Sequence, residues 1–174
     1  MTFASLSRIM PPPANPVETG GSWLDVEDAI GSKLPDDFKE FIRSYGSGTI
    51  DHFLSVLNPF SSRPALNLLE QSKRQLEALR ELHDDFDEKN PFELYPTLGG
   101  LLPVAITDNG DVIHWLTSGN APEWTVVVNE ARSPDYEQFE CDLTTFLERV
   151  LNKSVTCRAF PSSAFSGDAE FNPV

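Results

Sequence analysis

The chain has 174 residues, of which 40% are hydrophobic and 23% charged, and this composition is typical of one soluble globular domain rather than a disordered chain. Its formal net charge of −14 at pH 7 disfavours binding to nucleic acid or to an anionic membrane surface, because both repel carboxylates. No apolar run approaches the roughly 18–20 residues of a membrane helix, and the N-terminus lacks the pattern of a signal peptide, so we expect a cytoplasmic protein.

The two ends of the chain differ in composition from its middle. Residues 1–20 contain the run Pro11-Pro12-Pro13 and a further proline, Pro16, which predicts an extended, flexible N-terminal arm. A single globular domain is predicted over residues 21–152. Residues 153–174 contain serine, proline and glycine without a clear period, and we predict an irregular C-terminal extension there.

The first helix predicted in the domain begins after Ser22, whose side chain can cap it. Trp23, Val26 and Ile30 fall on one face at helical spacing, and Gly31 is placed to end the helix. The pattern therefore predicts a short amphipathic helix with one buried face.

A second helix is predicted to begin at Pro35, directly after Leu34, because proline suits the first helical position. Four apolar residues recur at helical spacing and indicate a buried, aromatic-rich face: Phe38, Phe41, Ile42 and Tyr45. Gly46 is expected to end this helix in a left-handed conformation, and Gly48 to supply a second permissive position before a strand.

A strand is predicted over residues 49–57 and a long amphipathic helix over residues 67–86. The helix ends in an acidic cluster of four residues: Asp84, Asp85, Asp87 and Glu88. Carboxylates at the negative end of a helix cost local stability. The cluster is therefore either a solvated helix end or a candidate contact surface.

The second half of the domain is predicted to be mainly strands. Residues 101–106 and 112–116 flank Asn109-Gly110, a strong hairpin signal because this pair supplies the positive φ angles of a tight turn. The β-branched run 124–128 predicts a central strand, and a short strand follows over residues 136–140. Asp142 can cap a last helix, whose apolar residues are Leu143, Phe146, Leu147, Val150 and Leu151.

The sequence contains no motif for nucleophilic catalysis, phosphate binding or zinc-dependent hydrolysis, and we predict no cofactor and no metal. His52, His83 and His114 fall on three predicted elements, so a catalytic triad would require the fold to bring distant positions together. His114, beside Trp115 on a predicted strand, is interpreted as a half-buried structural residue.

Two further pairs of residues have more than one interpretation. Asp108 and Asp111 could act as paired acids, but carboxylates beside Asn-Gly are also ordinary turn residues. Cys141 and Cys157 could pair, although two free thiols are expected in a reducing cytoplasm.

The order of several short motifs resembles the SUKH superfamily over residues 23–151. The motifs are Trp23…Val26-Glu27…Ile30-Gly31, Leu34-Pro35-Asp36-Asp37-Phe38, Tyr45-Gly46-Ser47-Gly48 and Leu102-Pro103-Val104-Ala105…Asp108-Asn109-Gly110-Asp111…Trp115. The resemblance implies an α+β fold, in which helices pack against a twisted, mainly antiparallel sheet. The following matching positions are explicable as folding requirements: Trp23, Leu34, Pro35, Gly46, Gly48, Pro103, Gly110 and Trp115.

The superfamily includes bacterial immunity proteins, which neutralise polymorphic or contact-dependent toxins, and fungal regulators of cell-wall synthesis. The resemblance implies a non-enzymatic immunity protein that blocks the active site of a cognate toxin, for example a nuclease. The alternative is a regulatory or scaffolding protein that acts through protein–protein interaction. A hydrolase with an unfamiliar site is a third, less favoured hypothesis.

The expected partner is a toxin with a basic surface, without direct contact to nucleic acid or membrane. The acidic excess would attract such a partner, although charge alone favours a role in solubility. Charge clustering selects Asp84, Asp85, Asp87 and Glu88 as partner-binding residues. Glu93, Asp135 and Glu137 are further candidates.

Overall fold

A seven-stranded antiparallel sheet forms the centre of the computed structural model, which describes residues 3–86 and 90–174. Its strands are β1 (Gly48–Ile50), β2 (Leu54–Val56), β3 (Leu101–Thr107), β4 (Val112–Leu116), β5 (Thr125–Asn129), β6 (Tyr136–Phe139) and β7 (Phe171–Pro173). Strands β1 to β6 are neighbours in chain order, and β7 returns to pair with β1 at one edge. The predicted α+β class is confirmed.

Five α-helices accompany the sheet within the described residues: α1 (Phe3–Ile9), α2 (Trp23–Ile30), α3 (Asp36–Tyr45), α4 (Leu68–Phe86) and α5 (Leu143–Leu151). Ser22 caps α2 by accepting a hydrogen bond from the Asp25 N–H, and Asp142 caps α5 in the same way, as predicted. None of the helices within residues 3–86 and 90–174 combines the length and the apolar character needed to cross a membrane.

The two faces of the sheet have different neighbours. Trp115 on β4 contacts Phe38 of α3 with ring centroids 4.9 Å apart, so this face carries α3 together with α1 and α5. Because side chains alternate along a strand, His114 and Val112 lie on the opposite face. Helix α4 packs against β3 and, further along, approaches Val112 on that opposite face.

The strand predicted over residues 49–57 is wrong, because the chain reverses in its middle. Asp51 and His52 both have positive φ angles, 49° and 55°, and separate β1 from β2 in a hairpin. The Phe53 N–H donates to the Ile50 carbonyl to close the turn. Asp tolerates the left-handed region better than most residues, which permits this turn without glycine.

Both ends of the chain contain regular structure where extended or irregular segments were expected. Leu6 of α1 and Met10, which directly follows the helix, lie in the core with no exposed surface. At the other end, β7 buries Phe171 against the rings of Phe41 and Tyr45. Apolar burial therefore orders both segments. The domain boundaries at residues 20 and 152 stay predictions.

The two glycines after α3 serve different purposes. Gly46 ends α3 as predicted, and its amide donates to the Ile42 carbonyl. The expected left-handed conformation is wrong, because its φ angle of 70° is combined with a ψ angle of −145°. Gly48 was expected as a permissive position before a strand, but it is the first residue of β1 itself. A Cβ atom at Gly48 would lie 2.5 Å from the Asn172 carbonyl oxygen, so the close approach of β7 requires glycine.

A candidate partner-binding groove

The corner between α2 and α3 is built around one buried carboxylate. Glu27 is 6% exposed and accepts hydrogen bonds from Lys33 Nζ at 2.8 Å and from the Leu34 N–H at 3.0 Å. Lys39 Nζ lies 2.6 Å from Glu27 Oε1, the same oxygen that accepts the hydrogen bond from the Leu34 N–H. Glu27 thus holds the chain at the break that precedes α3, with Pro35 immediately before the helix.

The pKa of Glu27 reflects two opposing influences. Burial alone would raise the pKa, but the hydrogen bonds from Lys33, Lys39 and the Leu34 N–H outweigh it and hold the pKa at about 2. Lys39 also lies over the Trp23 ring, 5.8 Å from its centroid. This set of contacts joins several matching motif positions in one structural unit, so the motif is explained by folding.

The other matching positions are likewise structural. Leu34 and Trp115 are 2% and 1% exposed, and both belong to the core. Pro103 faces His114 across the β3–β4 pair, next to a register shift. Gly110 has a φ angle of 91° in the turn of the predicted hairpin, which is confirmed.

The predicted acidic contact residues are only partly within the described chain. Asp84 is exposed near the end of α4. It lies three residues after Glu81 and seven after Glu77, so helical spacing places all three carboxylates on one outward stripe. The side chain of Asp85, and Asp87 and Glu88 entirely, lie outside the described residues.

The three further acidic candidates have different surroundings. Glu93 and Asp135 are exposed. Glu137 is half-buried and accepts a hydrogen bond from the Arg158 N–H at 2.8 Å, so it attaches the C-terminal segment to β6. Asp135 flanks the open groove described next, whereas Glu137 has a structural role.

A groove of about 440 Å³ runs between the second half of α4 and the end of the opposite sheet face. On the sheet side, Val112, Asn129 and Tyr136 form one row across β4, β5 and β6. On the helix side, Ala78 and Leu82 contribute apolar surface, and Leu82 is 42% exposed. The β3–β4 turn and the β5–β6 loop form the groove's end.

A buried aspartate fixes the two loops at the end of the groove. Asp111 is 2% exposed, and its carboxylate accepts a hydrogen bond from the Ala131 N–H at 2.9 Å and another from the Thr107 hydroxyl at 2.7 Å. These bonds tie the β3–β4 turn to the β5–β6 loop. The turn interpretation of Asp111 therefore fits the structure better than an acid–base pair with the exposed Asp108.

The three histidines lie on different elements. His52 is in the β1–β2 turn, His83 is near the end of α4, and His114 is fully buried in β4. Burial lowers the pKa of His114 to about 3, so this ring is neutral near physiological pH. Across residues 3–86 and 90–174, no three His, Cys, Asp or Glu side chains are grouped as metal ligands.

Cys141 and Cys157 are both free. Burial raises the pKa of both thiols, that of Cys157 to about 12. The thiolate is the reactive form of cysteine, and a raised pKa disfavours it. Neither position therefore has the surroundings of a nucleophilic cysteine, which are electropositive and accessible.

Sequence patterns did not reveal the groove, because its walls come from segments far apart in the chain. Ala78 and Leu82 belong to a helix whose apolar stripe is explained by packing alone. Asn129 is the last residue of β5 and belongs to no sequence motif. Only the hairpin signal at Asn109-Gly110 marked one end of the groove, and it carried no information about α4.

One comparison with known proteins gives a match. A family model described as SMI1-KNR4 cell-wall, SUKH_6, matches residues 21–147, which is well over half of the chain. The matched region contains α2 to α4, strands β1 to β6 and the groove. No curated protein and no solved structure matches the chain.

Proposed function

Because the chain belongs to the SMI1-KNR4 family of the SUKH superfamily, we propose that it is a non-enzymatic immunity protein that binds a cognate toxin and blocks its active site. The family match over residues 21–147 carries this proposal, since the superfamily comprises immunity and regulatory proteins that act through protein–protein interaction. Inhibition in the cytoplasm would then follow from occupancy of the toxin's surface, without turnover.

The charge of the chain supports a basic partner. With 27 acidic and 13 basic residues, the protein attracts positively charged surfaces over a distance of about one Debye length, roughly 10 Å at 0.1 M salt. A nuclease toxin has a basic substrate groove because it binds phosphates. An acidic protein that enters such a groove competes with the substrate by charge and by volume.

We propose that the acidic cluster Asp84, Asp85, Asp87 and Glu88 accelerates this encounter. Replacing all four residues with Ser or Asn is expected to slow association with the toxin about tenfold at low salt, because electrostatic steering contributes a factor of roughly 10 or more to such rates. The rate should also depend less steeply on salt. Stopped-flow or surface-based association kinetics across a salt series measures both effects.

A matched control removes four exposed carboxylates from other elements: Asp28, Asp36, Asp168 and Glu170. This variant has the same net charge as the first, so it separates the position of the charge from its amount. Equal association rates for the two variants would remove the cluster from the proposal.

The alternative from a different class is a regulatory or scaffolding protein, for example in the control of cell-wall synthesis. A regulator has a housekeeping partner and causes a growth phenotype when lost, even without any toxin. An immunity protein protects a cell from one particular toxin.

A tagged pull-down from the native host's lysate at low and high salt distinguishes the two functions. The proposal predicts one toxin-like polypeptide, identified by mass spectrometry, whose recovery falls at high salt. That polypeptide should arrest growth when expressed alone and lose this effect when co-expressed with the chain. Recovery of cell-wall enzymes or signalling proteins instead would favour the regulator.

A further inference from the structure

We propose that the groove beside α4 is the docking site for a segment of the partner protein that presents arginine or lysine between apolar side chains. This inference rests on the proposed function and names the surface and the partner chemistry. The groove combines apolar walls with an acidic border, and each of these two features selects part of the ligand.

The walls select apolar side chains. Ala78 and Leu82 of α4 face Val112 and Tyr136 across the groove, and Leu82 keeps 42% of its surface exposed. Covering such surface removes apolar area from water, which stabilises a complex. The volume of about 440 Å³ accommodates a few side chains of a partner but not a folded element.

The border selects positive charge. Glu130 lines the groove, Asp108 precedes its lining residue Asn109, and Asp135 lies between the lining residues Pro134 and Tyr136. Asp108 and Asp135 are exposed, and Glu130 is half-buried. Among the lining residues that the structure describes, Arg132 is the single arginine or lysine.

The nearby cation on α4 is already engaged. Arg80 follows the lining residue Leu79, but its Nη2 donates to the Tyr95 carbonyl at 2.9 Å. The neutral carbonyl does not cancel the charge of Arg80, but the bond directs its guanidinium to Tyr95. At the end of the groove, the carboxylates of Glu130, Asp108 and Asp135 outnumber the single lining arginine. A basic side chain from a partner would be attracted there, and an acidic one repelled.

The groove is also pre-formed. Asp111 ties the β3–β4 turn to the β5–β6 loop through its bonds to Thr107 and Ala131. Asn129 adds longer contacts, with its amide nitrogen 3.4 Å from the carbonyl oxygens of Glu130, Ser133 and Asp135. Because these bonds hold the two loops at the end of the groove in place, little ordering of those loops is needed when a ligand binds.

The test uses the full chain, labelled with ¹⁵N, and a short synthetic peptide in which arginines alternate with leucines. The same peptide with citrulline in place of arginine is the neutral comparison. We expect saturable amide shifts that concentrate on Ala78, Leu82, Val112, Asn129 and Tyr136. The citrulline peptide should bind at least about fivefold more weakly, because it lacks the attraction between unit charges.

Substitutions on the groove and away from it give the matched comparison. Ala78→Lys introduces bulk and positive charge in the groove and should weaken peptide binding at least about fivefold. Ala29→Lys makes the same change at an exposed position on α2 and should leave binding unchanged. Arg132→Gln removes the groove's own cation and should tighten binding. If Ala78→Lys perturbs the spectrum of the free protein, Glu130→Gln is measured instead, and weaker binding is expected.

Shifts that map elsewhere, equal binding of both peptides, or no saturable binding would each overturn the docking inference. Tighter binding of a glutamate-containing peptide would overturn the charge assignment. These outcomes leave the proposed function standing, since the pull-down and growth tests do not depend on which surface binds. If the growth test fails while the peptide still binds the groove, the proposed function is overturned and the docking inference stands.

Discussion

Replacing Gly46 with alanine is expected to lower the free energy of unfolding by about 3 kcal/mol or more, because two costs coincide at this position. The φ angle of 70° and the ψ angle of −145° lie in a region that L-residues rarely adopt. A Cβ atom there would also collide with the carbonyl oxygen of Val17. For a chain of this size, the loss corresponds to a fall of roughly 6–12 °C in Tm.

The backbone around Gly46 has little freedom to relax. The Val17 carbonyl that a Cβ would strike also accepts a hydrogen bond from the Ser47 N–H at 2.8 Å. The Ser47 hydroxyl donates to the Glu18 carboxylate at 2.6 Å, and the Asn58 amide donates to the Glu18 carbonyl at 2.9 Å. Moving residues 17–18 away from Gly46 would break these bonds.

Gly20→Ala is the matched control for Gly46→Ala, since a Cβ at Gly20 meets nothing within 4 Å. Thermal unfolding followed by circular dichroism measures both variants. The control should unfold within about 0.5 kcal/mol of the wild type. A Gly46→Ala protein as stable as the control would contradict the described attachment of the N-terminal segment.

The second large effect is expected at Glu27. Glu27→Gln should destabilise the protein by roughly 2–3 kcal/mol near pH 7, because a neutral amide cannot replace hydrogen bonds from two ammonium groups and a backbone N–H. The difference should depend on pH. The pKa of Glu27 lies at about 2 in the folded protein, below its ordinary value of 4.5.

A lowered pKa in the folded state fixes the direction of the pH dependence. The carboxylate contributes its full stabilisation above about pH 5, where it is ionised in both states. This stabilisation is lost as the pH falls from about 4.5 towards about 2, so wild type and Glu27→Gln should converge in acid. Urea unfolding at several pH values measures the convergence.

Glu40→Gln is the matched control for Glu27→Gln. Glu40 is 45% exposed and pairs only with Arg43 in the described contacts, at 2.7 Å. An exposed pair of this kind contributes about 0.2–1 kcal/mol. A pH-independent gap between wild type and Glu27→Gln, or a gap as small as that of the control, would contradict the role assigned to Glu27.

The sequence predicted those parts of the fold that local chemistry determines. Ser22 and Asp142 cap helices because their side chains can accept from nearby amides, and Gly110 turns a hairpin because glycine permits positive φ. The order of such motifs also indicated the family. These signals are confined to a few neighbouring residues, so they survive without knowledge of the tertiary structure.

The missed features depend on contacts between distant segments. The β1–β2 turn lacks glycine, and its Asp51 carboxylate accepts from the N–H groups of Ser166 and Glu170, more than a hundred residues later. Strand β7 is a three-residue segment that exists because β1 offers it an edge. Gly48 is glycine because β7 passes close to it.

The candidate site likewise has one part that the sequence predicts and another that depends on the tertiary structure. Acidic residues are visible in the sequence, and Asp84 is exposed as an acidic contact requires. The groove is formed only when α4, the β3–β4 turn and the β5–β6 loop come together. Apolar residues such as Leu82 and Val112 have the same pattern whether they are fully covered or line a groove, so the sequence could not separate these cases.

The central claim, protection of a cell from a partner toxin, is tested most directly by growth competition in the native host. A strain that lacks both the gene for the chain and the gene for the toxin, so that it cannot poison itself, is grown alone and in mixed culture with its wild-type parent. An immunity function predicts normal growth alone and loss of the mutant in mixture, with recovery when the chain is supplied from a plasmid. A growth defect already present in pure culture, or equal survival in mixture, would contradict an immunity function.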